Sequence, residues 1–422
     1  MPEYKRKKSH KKPNKRAFKQ EKNHNEDIKM YPSYKNNKKE DAPVRVVKGR
    51  KLRNKLKLKI TVASIAVVLA VCVVLSLLLP VSIMENVTNI VALIGAGSYP
   101  IDITGAQTLN LSQKNSHFYV LTDTNISAYT RGGKKIFDIP HGFYSPVMVT
   151  SQTRALVFDQ GGNELQIYNL GGIVETLDTE KPIINACISR SGSFSTVCES
   201  DDYTAVVTVY NKKIQKIYEW NSAKDIINNI AISSSGKRIA VSSLNASGGK
   251  YSSRIQVLGF DSADPLYTLD LGENIVLSLS DMGRGFNVIT HTSYRFVDWS
   301  KYTTTEITDS GEIDMFRQTS QGAVVVFNRV NDKSDNTVVA VSKRGKQLAN
   351  FHKSGIISDI KFTRGHIYCI SDTTVSLYDK TGNLLREGSC GYGAVRFSVI
   401  SEYALAVVTD TDIQKTELLS KE

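Results

Sequence analysis

Two hydrophobic patterns divide the chain. From Ile60 to Leu79 the residues are almost all Val, Leu, Ile and Ala, and no charged side chain follows Lys59 until Glu85. At 1.5 Å per residue such a run spans about 30 Å, the thickness of a bilayer's hydrocarbon core, so it predicts a transmembrane helix over residues 60–80. A 59-residue hydrophilic stretch precedes the run and no small-residue cleavage site follows it, which argues against a cleaved signal peptide. Past residue 98 the pattern becomes alternating: short runs rich in Val, Ile, Thr, Tyr and Phe, punctuated by Gly, Ser, Asn and Asp, predict a succession of strands with no long amphipathic helix among them.

The strands recur as a unit. An apolar strand, a Ser/Gly turn and a second apolar strand appear around Ile188–Gly192, Ile232–Gly236, Leu279–Gly283 and Gln318–Gly322. A second element begins on an aromatic or apolar residue, crosses a basic or Gly turn and resumes as a strand, as in Tyr129–Ile139, Tyr168–Asp178, Tyr210–Trp220, Val341–Phe351 and Tyr378–Gly388. Alignment of the units places inner strands near Leu109, Val147, Asn185, Asn229, Leu277, Asp314, Asp359 and Arg396, a spacing that four-stranded propeller blades produce. The fold class is therefore all-β, a β-propeller over residues 99–420, with eight blades favoured and seven left open if one weak unit is not a blade. The last unit has three strands, and the lone extended segment Tyr99 to Thr104 is expected to supply its outer strand and close the ring.

Charge changes the picture at the N-terminus. Residues 1–59 hold 22 Lys plus Arg against 6 Asp plus Glu, about +16, whereas the remainder sums to about −3. With few large apolar residues, residues 1–59 are expected to be a disordered basic tail. Positive charge on this flank predicts a cytoplasmic N-terminus and an extracytoplasmic propeller in a single-pass cell-membrane protein, with 81–98 as a linker. Arg50, Lys51, Arg53, Lys55, Lys57 and Lys59 abut the apolar run and are the candidate contacts with anionic headgroups. RNA-binding motifs are missing, and no nucleic-acid partner is expected.

The stretch Ile230 to Ser243 resembles the repeat of WD40-like and TolB-type propellers; it keeps the Ser and Gly of their Ser-Pro-Asp-Gly turn and lacks the Pro and Asp. The whole layout over about residues 40 to 420 also resembles a family of uncharacterised Firmicutes single-pass membrane proteins with a divergent propeller domain. That resemblance implies a fold and a location, and no catalytic residues.

Chemistry-bearing motifs are sparse. The seven histidines show no H-x-H or H-E-x-x-H spacing, and neither a Walker loop nor G-x-S-x-G occurs, so no enzyme, cofactor or metal is expected. Asp123-Thr-Asn125 and Asp410-Thr-Asp412 have the oxygen spacing that opens a calcium loop but read better as turns. Cys187 and Cys198 flank one hairpin, and Cys369 and Cys390 lie further on; bridges and buried thiols both remain open for them.

Sorting loops by side predicts one basic and one acidic face. The turns between strands one and two and between three and four carry the candidate binding residues Lys134, Lys135, Arg238, Lys343, Arg344 and Lys346. The expected function is a non-catalytic, membrane-anchored binding or assembly scaffold for an envelope protein or polymer. Its expected partners are the lipid bilayer, anionic lipid headgroups or a wall polymer, and an envelope protein. A transmembrane sensor or regulator coupling an external ligand to the basic tail is the alternative.

Overall fold

Within each repeating unit, position decides burial. In the first, strand one (Thr108–Gln113) is half-buried, strands two (His117–Thr122) and three (Asn125–Thr130) are buried along nearly their whole length, and strand four (Lys135–Pro140) alternates. Unbroken burial along the middle strands means that both sheet faces are covered, as stacked blades require. The computed structural model describes residues 59–64, 67, 81–262, 264–329 and 332–420, in two units that divide between Val74 and Leu75. In the first unit, residues 59–64 and 67 are helical. The expected tail and most of the expected span lie outside the described residues, among which no helix is long and apolar enough to cross a membrane.

The second unit is an eight-bladed propeller. Inner strands begin at Thr108, Pro146, Ile183, Ile226, Val276, Glu312, Ile357 and Arg396, so each inner-strand position read from the repeats falls in a separate blade. Among the described residues, eight buried apolar clusters occupy the eight blade-to-blade interfaces. Tyr119, Phe158, Phe194, Phe286 and Phe397 are fully buried in them, each burial being worth about 1.5–3 kcal/mol.

The eighth blade is completed as its strand count requires. Ile101–Asp102 pairs with the last full strand, Ile101 opposite Ile413 and Asp102 opposite Asp412. The Ile103 amide then donates to the Thr411 carbonyl at 2.9 Å. One pairing was not foreseen: Leu419–Ser420 adds a fifth strand to blade seven, opposite Glu387 and Arg386. The Ser/Gly turns depend on their glycines in two ways. Gly236 has φ 66°, a region that L side chains rarely adopt. Gly322 instead lies in a strand where a Cβ would stand 2.1 Å from the Val341 carbonyl oxygen.

The segment expected to be a linker contains a helix, Val81–Ala92. It rests on the side of the disc that carries the one-to-two and three-to-four turns, here called the front face: Asn89 meets Leu170, and Glu85 meets Arg154 and Lys212. All four cysteines of the propeller are free. Antiparallel register places Cys187 opposite Ser195, and Cys198 opposite Ile183, so the hairpin keeps the two sulfurs on different rungs.

Candidate functional site: a cation-lined central channel

Each inner strand is an edge strand, with one row of backbone groups unpaired by its own sheet. Side chains from the neighbouring blade satisfy part of that row. Asn185 Nδ2 donates to the Asn228 carbonyl at 2.9 Å, and Asn228 and Asn229 both donate to the Val276 carbonyl at 2.8 and 3.0 Å. Gln113 closes the series, accepting from the Val399 amide at 2.8 Å. This use of polar side chains accounts for the Asn and Gln residues that interrupt inner strands such as Ile183–Ile188 and Ile226–Ile232.

Alternate inner-strand positions face a channel of about 540 Å³. Its lining includes six cations, Lys114, Arg131, Arg190, Arg317, Lys343 and Lys361, against one carboxylate, Asp281. Burial pushes the Asp281 carboxyl upward, although hydrogen bonds from Ser234 and from Trp299 Nε1 (2.8 Å) oppose the shift. Cations outnumber the carboxylate in the lining.

Two of the cations are anchored by a buried acid behind the wall. Asp359, fully buried, accepts from Arg317 Nε at 2.8 Å and lies 3.3 Å from Lys361 Nζ. Burial raises the Asp359 carboxyl, but Lys361 and Arg317 outweigh it and hold the group below the usual carboxylate range. Lys361 also donates to the Phe397 carbonyl and sits 4.6 Å above the Phe397 ring. Arg396 adds a further positive charge beside Asp359, so this buried acid is outnumbered.

At the front mouth, Lys114 donates to the Thr150 carbonyl at 3.3 Å, and burial pushes its pKa down to about 8. Arg131 donates to the Lys114 carbonyl at 3.4 Å, while its buried Nε has no hydrogen-bond partner among the described residues. His117, pushed down to about 3 by burial and by the charges of Lys114 and Arg131, is neutral. Lys114 and Arg131 are half-buried, and a cation partly withdrawn from water carries an electrostatic cost that an incoming anion relieves. The site therefore offers convergent N–H donors and positive potential, suited to phosphate or carboxylate groups.

The six sequence-predicted binding residues are dispersed rather than gathered. Lys343 lines the channel, with Arg344 and Lys346 exposed in the same turn. Lys134 Nζ donates to the carbonyls of Ala92 (3.2 Å) and Ile94. Lys135 pairs with Asp138 at 2.9 Å, and Arg238 donates to the Trp299 carbonyl. Of the flanking cations, Lys59 is exposed, and Arg50, Lys51, Arg53, Lys55 and Lys57 lie outside the described residues. Arg317 and Lys361 were not singled out by sequence, because isolated charges inside apolar strands resemble ordinary solvent-facing positions. Asp123, in a bend, accepts from the Gln107 amide at 3.0 Å, whereas Asp412 is the first residue of a strand and accepts from Thr409 at 2.7 Å. Among the described residues, no cluster of three or more His, Cys, Asp or Glu converges as a metal site would.

The strand order defines an eight-bladed β-propeller. The chain belongs to a family of unknown function, DUF5711, whose profile matches residues 98–418. Among solved structures, the computationally designed Ika8 protein is similar at a TM-score of 0.54 and 12% identity, covering 76% of this chain and all of that one. The C-terminal WD40 domain of Sif2 aligns at 0.50 and 12% identity, over 78% of this chain and 100% of that domain. BamB from Moraxella catarrhalis aligns at 0.47 and 11% identity, over 75% and 100%. No curated protein matches the chain.

Proposed function

We propose that the chain is a single-pass, membrane-anchored scaffold whose extracytoplasmic propeller binds anionic groups through its front face and channel mouth. The ligand chemistry is phosphate or carboxylate, carried by lipid headgroups or by a cell-wall polymer, and no catalytic step belongs to the proposal. The observation that carries the reading is the imbalance of six cations to one carboxylate in the channel wall. Anchoring rests on the apolar run Ile60 to Leu79 and on the +16 flank before it. The back face, where strands two and three of blades four and six extend as long hairpins (Arg238–Gly259 and Gly322–Ser342), is left for an envelope protein.

The test uses the full chain in nanodiscs of neutral lipid, titrated with a short polyphosphate. Binding is expected, and the double variant Arg190→Glu, Lys343→Glu should weaken it by about tenfold or more. Affinity should also fall as pH rises through about 8, where Lys114 loses its proton. No binding by the parent chain, or binding indifferent to both changes, overturns the ligand assignment. Protease added to wall-free cells tests location separately: it should remove the propeller and spare residues 1–59.

A further inference from the structure

The helix Val81–Ala92 is turned inside out relative to an ordinary surface helix. Its side toward the propeller carries Glu85 and Asn89, both buried. Glu85 accepts from Arg154 at 2.7 and 3.2 Å and pairs with Lys212 at 2.9 Å; Asn89 Oδ1 accepts from the Leu170 amide at 2.9 Å. The opposite side carries Ile83, Val87, Ile90 and Val91, followed by Ile94, all between 42% and 67% exposed. At 3.6 residues per turn the four within the helix fall in a stripe about 100° wide. A surface helix in water places such a stripe against the core and its charges outside. Here the charge is inside and the stripe is outside.

Two features of the chain say what covers the stripe. The helix begins one residue after the apolar run Ile60 to Leu79, with Pro80 between them, so an anchored chain delivers it to the bilayer surface. Cations border it as well: Lys134 holds the carbonyls of Ala92 and Ile94, and Lys212 on Glu85 is followed by exposed Lys213. Outward Ile and Val flanked by lysines is the pattern of a helix lying in a membrane interface.

We infer that Val81–Ala92 is an interfacial helix: its Ile/Val stripe sits at the headgroup–acyl boundary, and its Glu85–Asn89 side holds the propeller's front face against the bilayer. This rests on the anchored reading above. It goes further by fixing which face of the propeller the membrane sees, and by making the helix a rigid spacer in place of a flexible leash.

The test places single nitroxide labels on the full chain in vesicles of phosphatidylcholine and phosphatidylglycerol, with Cys72→Ser as background. The propeller's own thiols are all shifted upward by burial, which slows their labelling relative to an introduced exposed cysteine. Ile90→Cys and Val87→Cys report the stripe. Tyr392→Cys, on an exposed link between blades at the back face, is the control. Collision with dissolved oxygen should exceed collision with an aqueous nickel chelate at positions 87 and 90, by about fivefold or more relative to position 392. Labels at 87 and 90 as open to the chelate as the one at 392, in chains that float with the vesicles, overturn the interfacial helix and leave the anchor standing. Labels shielded from both agents mean that protein covers the stripe, which overturns it equally. Chains that do not float with vesicles overturn the anchored reading itself.

Discussion

Glu85 joins segments far apart in sequence, its carboxylate held between Arg154 and Lys212 with its side chain only 4% exposed. Burial alone raises such a carboxyl, but the two cations more than compensate and set it below its ordinary 4.5. Because the folded pKa is depressed, the docking contribution is complete above about pH 4.5 and is lost as pH falls through the lower folded value. Glu85→Gln removes the charge while leaving Arg154 buried, a change that typically costs about 3 kcal/mol or more. Amide exchange over residues 81–94 should accelerate in that variant at neutral pH, and in the parent on acidification, while protection of the blades is kept. Equal loss of protection in helix and blades would show that the pair supports the ring rather than the helix alone.

At the scale of elements, the two-residue strand Ile101–Asp102 has an effect out of proportion to its length, because it covers the edge that the eighth blade otherwise exposes. Deleting residues 99–104 is expected to broaden thermal unfolding and promote aggregation; a deletion variant that melts like the parent would falsify closure by this strand. The repeats were legible for a physical reason. Middle strands such as Ala404–Val408 and Gly322–Arg329 are covered on both faces and so read as apolar runs, and the Ser/Gly turns that punctuate the repeats fix their spacing. The helix Val81–Ala92 was not legible, because its pattern is reversed and its one charge pairs with Arg154, 69 residues away. The channel was half legible. Lys343 belonged to the basic turns, but Arg317 and Lys361 acquire their meaning only when inner strands from separate blades are brought around one axis.

Across the whole molecule, interface clusters of similar make-up occupy every junction between blades, so no junction is an evident point of opening. Phe286→Ala, in the junction of blades four and five, should cost about 3–5 kcal/mol and lower the melting temperature of a single transition. A separate early transition in calorimetry would instead show that the blades melt in parts. Long-range contacts across a closed ring are expected to supply cooperativity of this kind.

The order of contacts along the chain has a mechanical consequence. Tension arriving from upstream of Val81 meets the Glu85 clamp before it reaches Ile101–Asp102, the short strand on which closure depends. The clamp spreads that load into the loops of blades two and three, Arg154 belonging to one and Lys212 to the other. It thus serves as strain relief, as a cable grip protects a solder joint. In single-molecule pulling from the N-terminal side, the parent chain should yield first by release of the helix, at a force that leaves the ring shut. With Glu85→Gln, the same pull should pass to the neutral contacts of Asn89 and the Lys134 hold on Ala92 and Ile94, and should reach the closing strand at a lower force than in the parent.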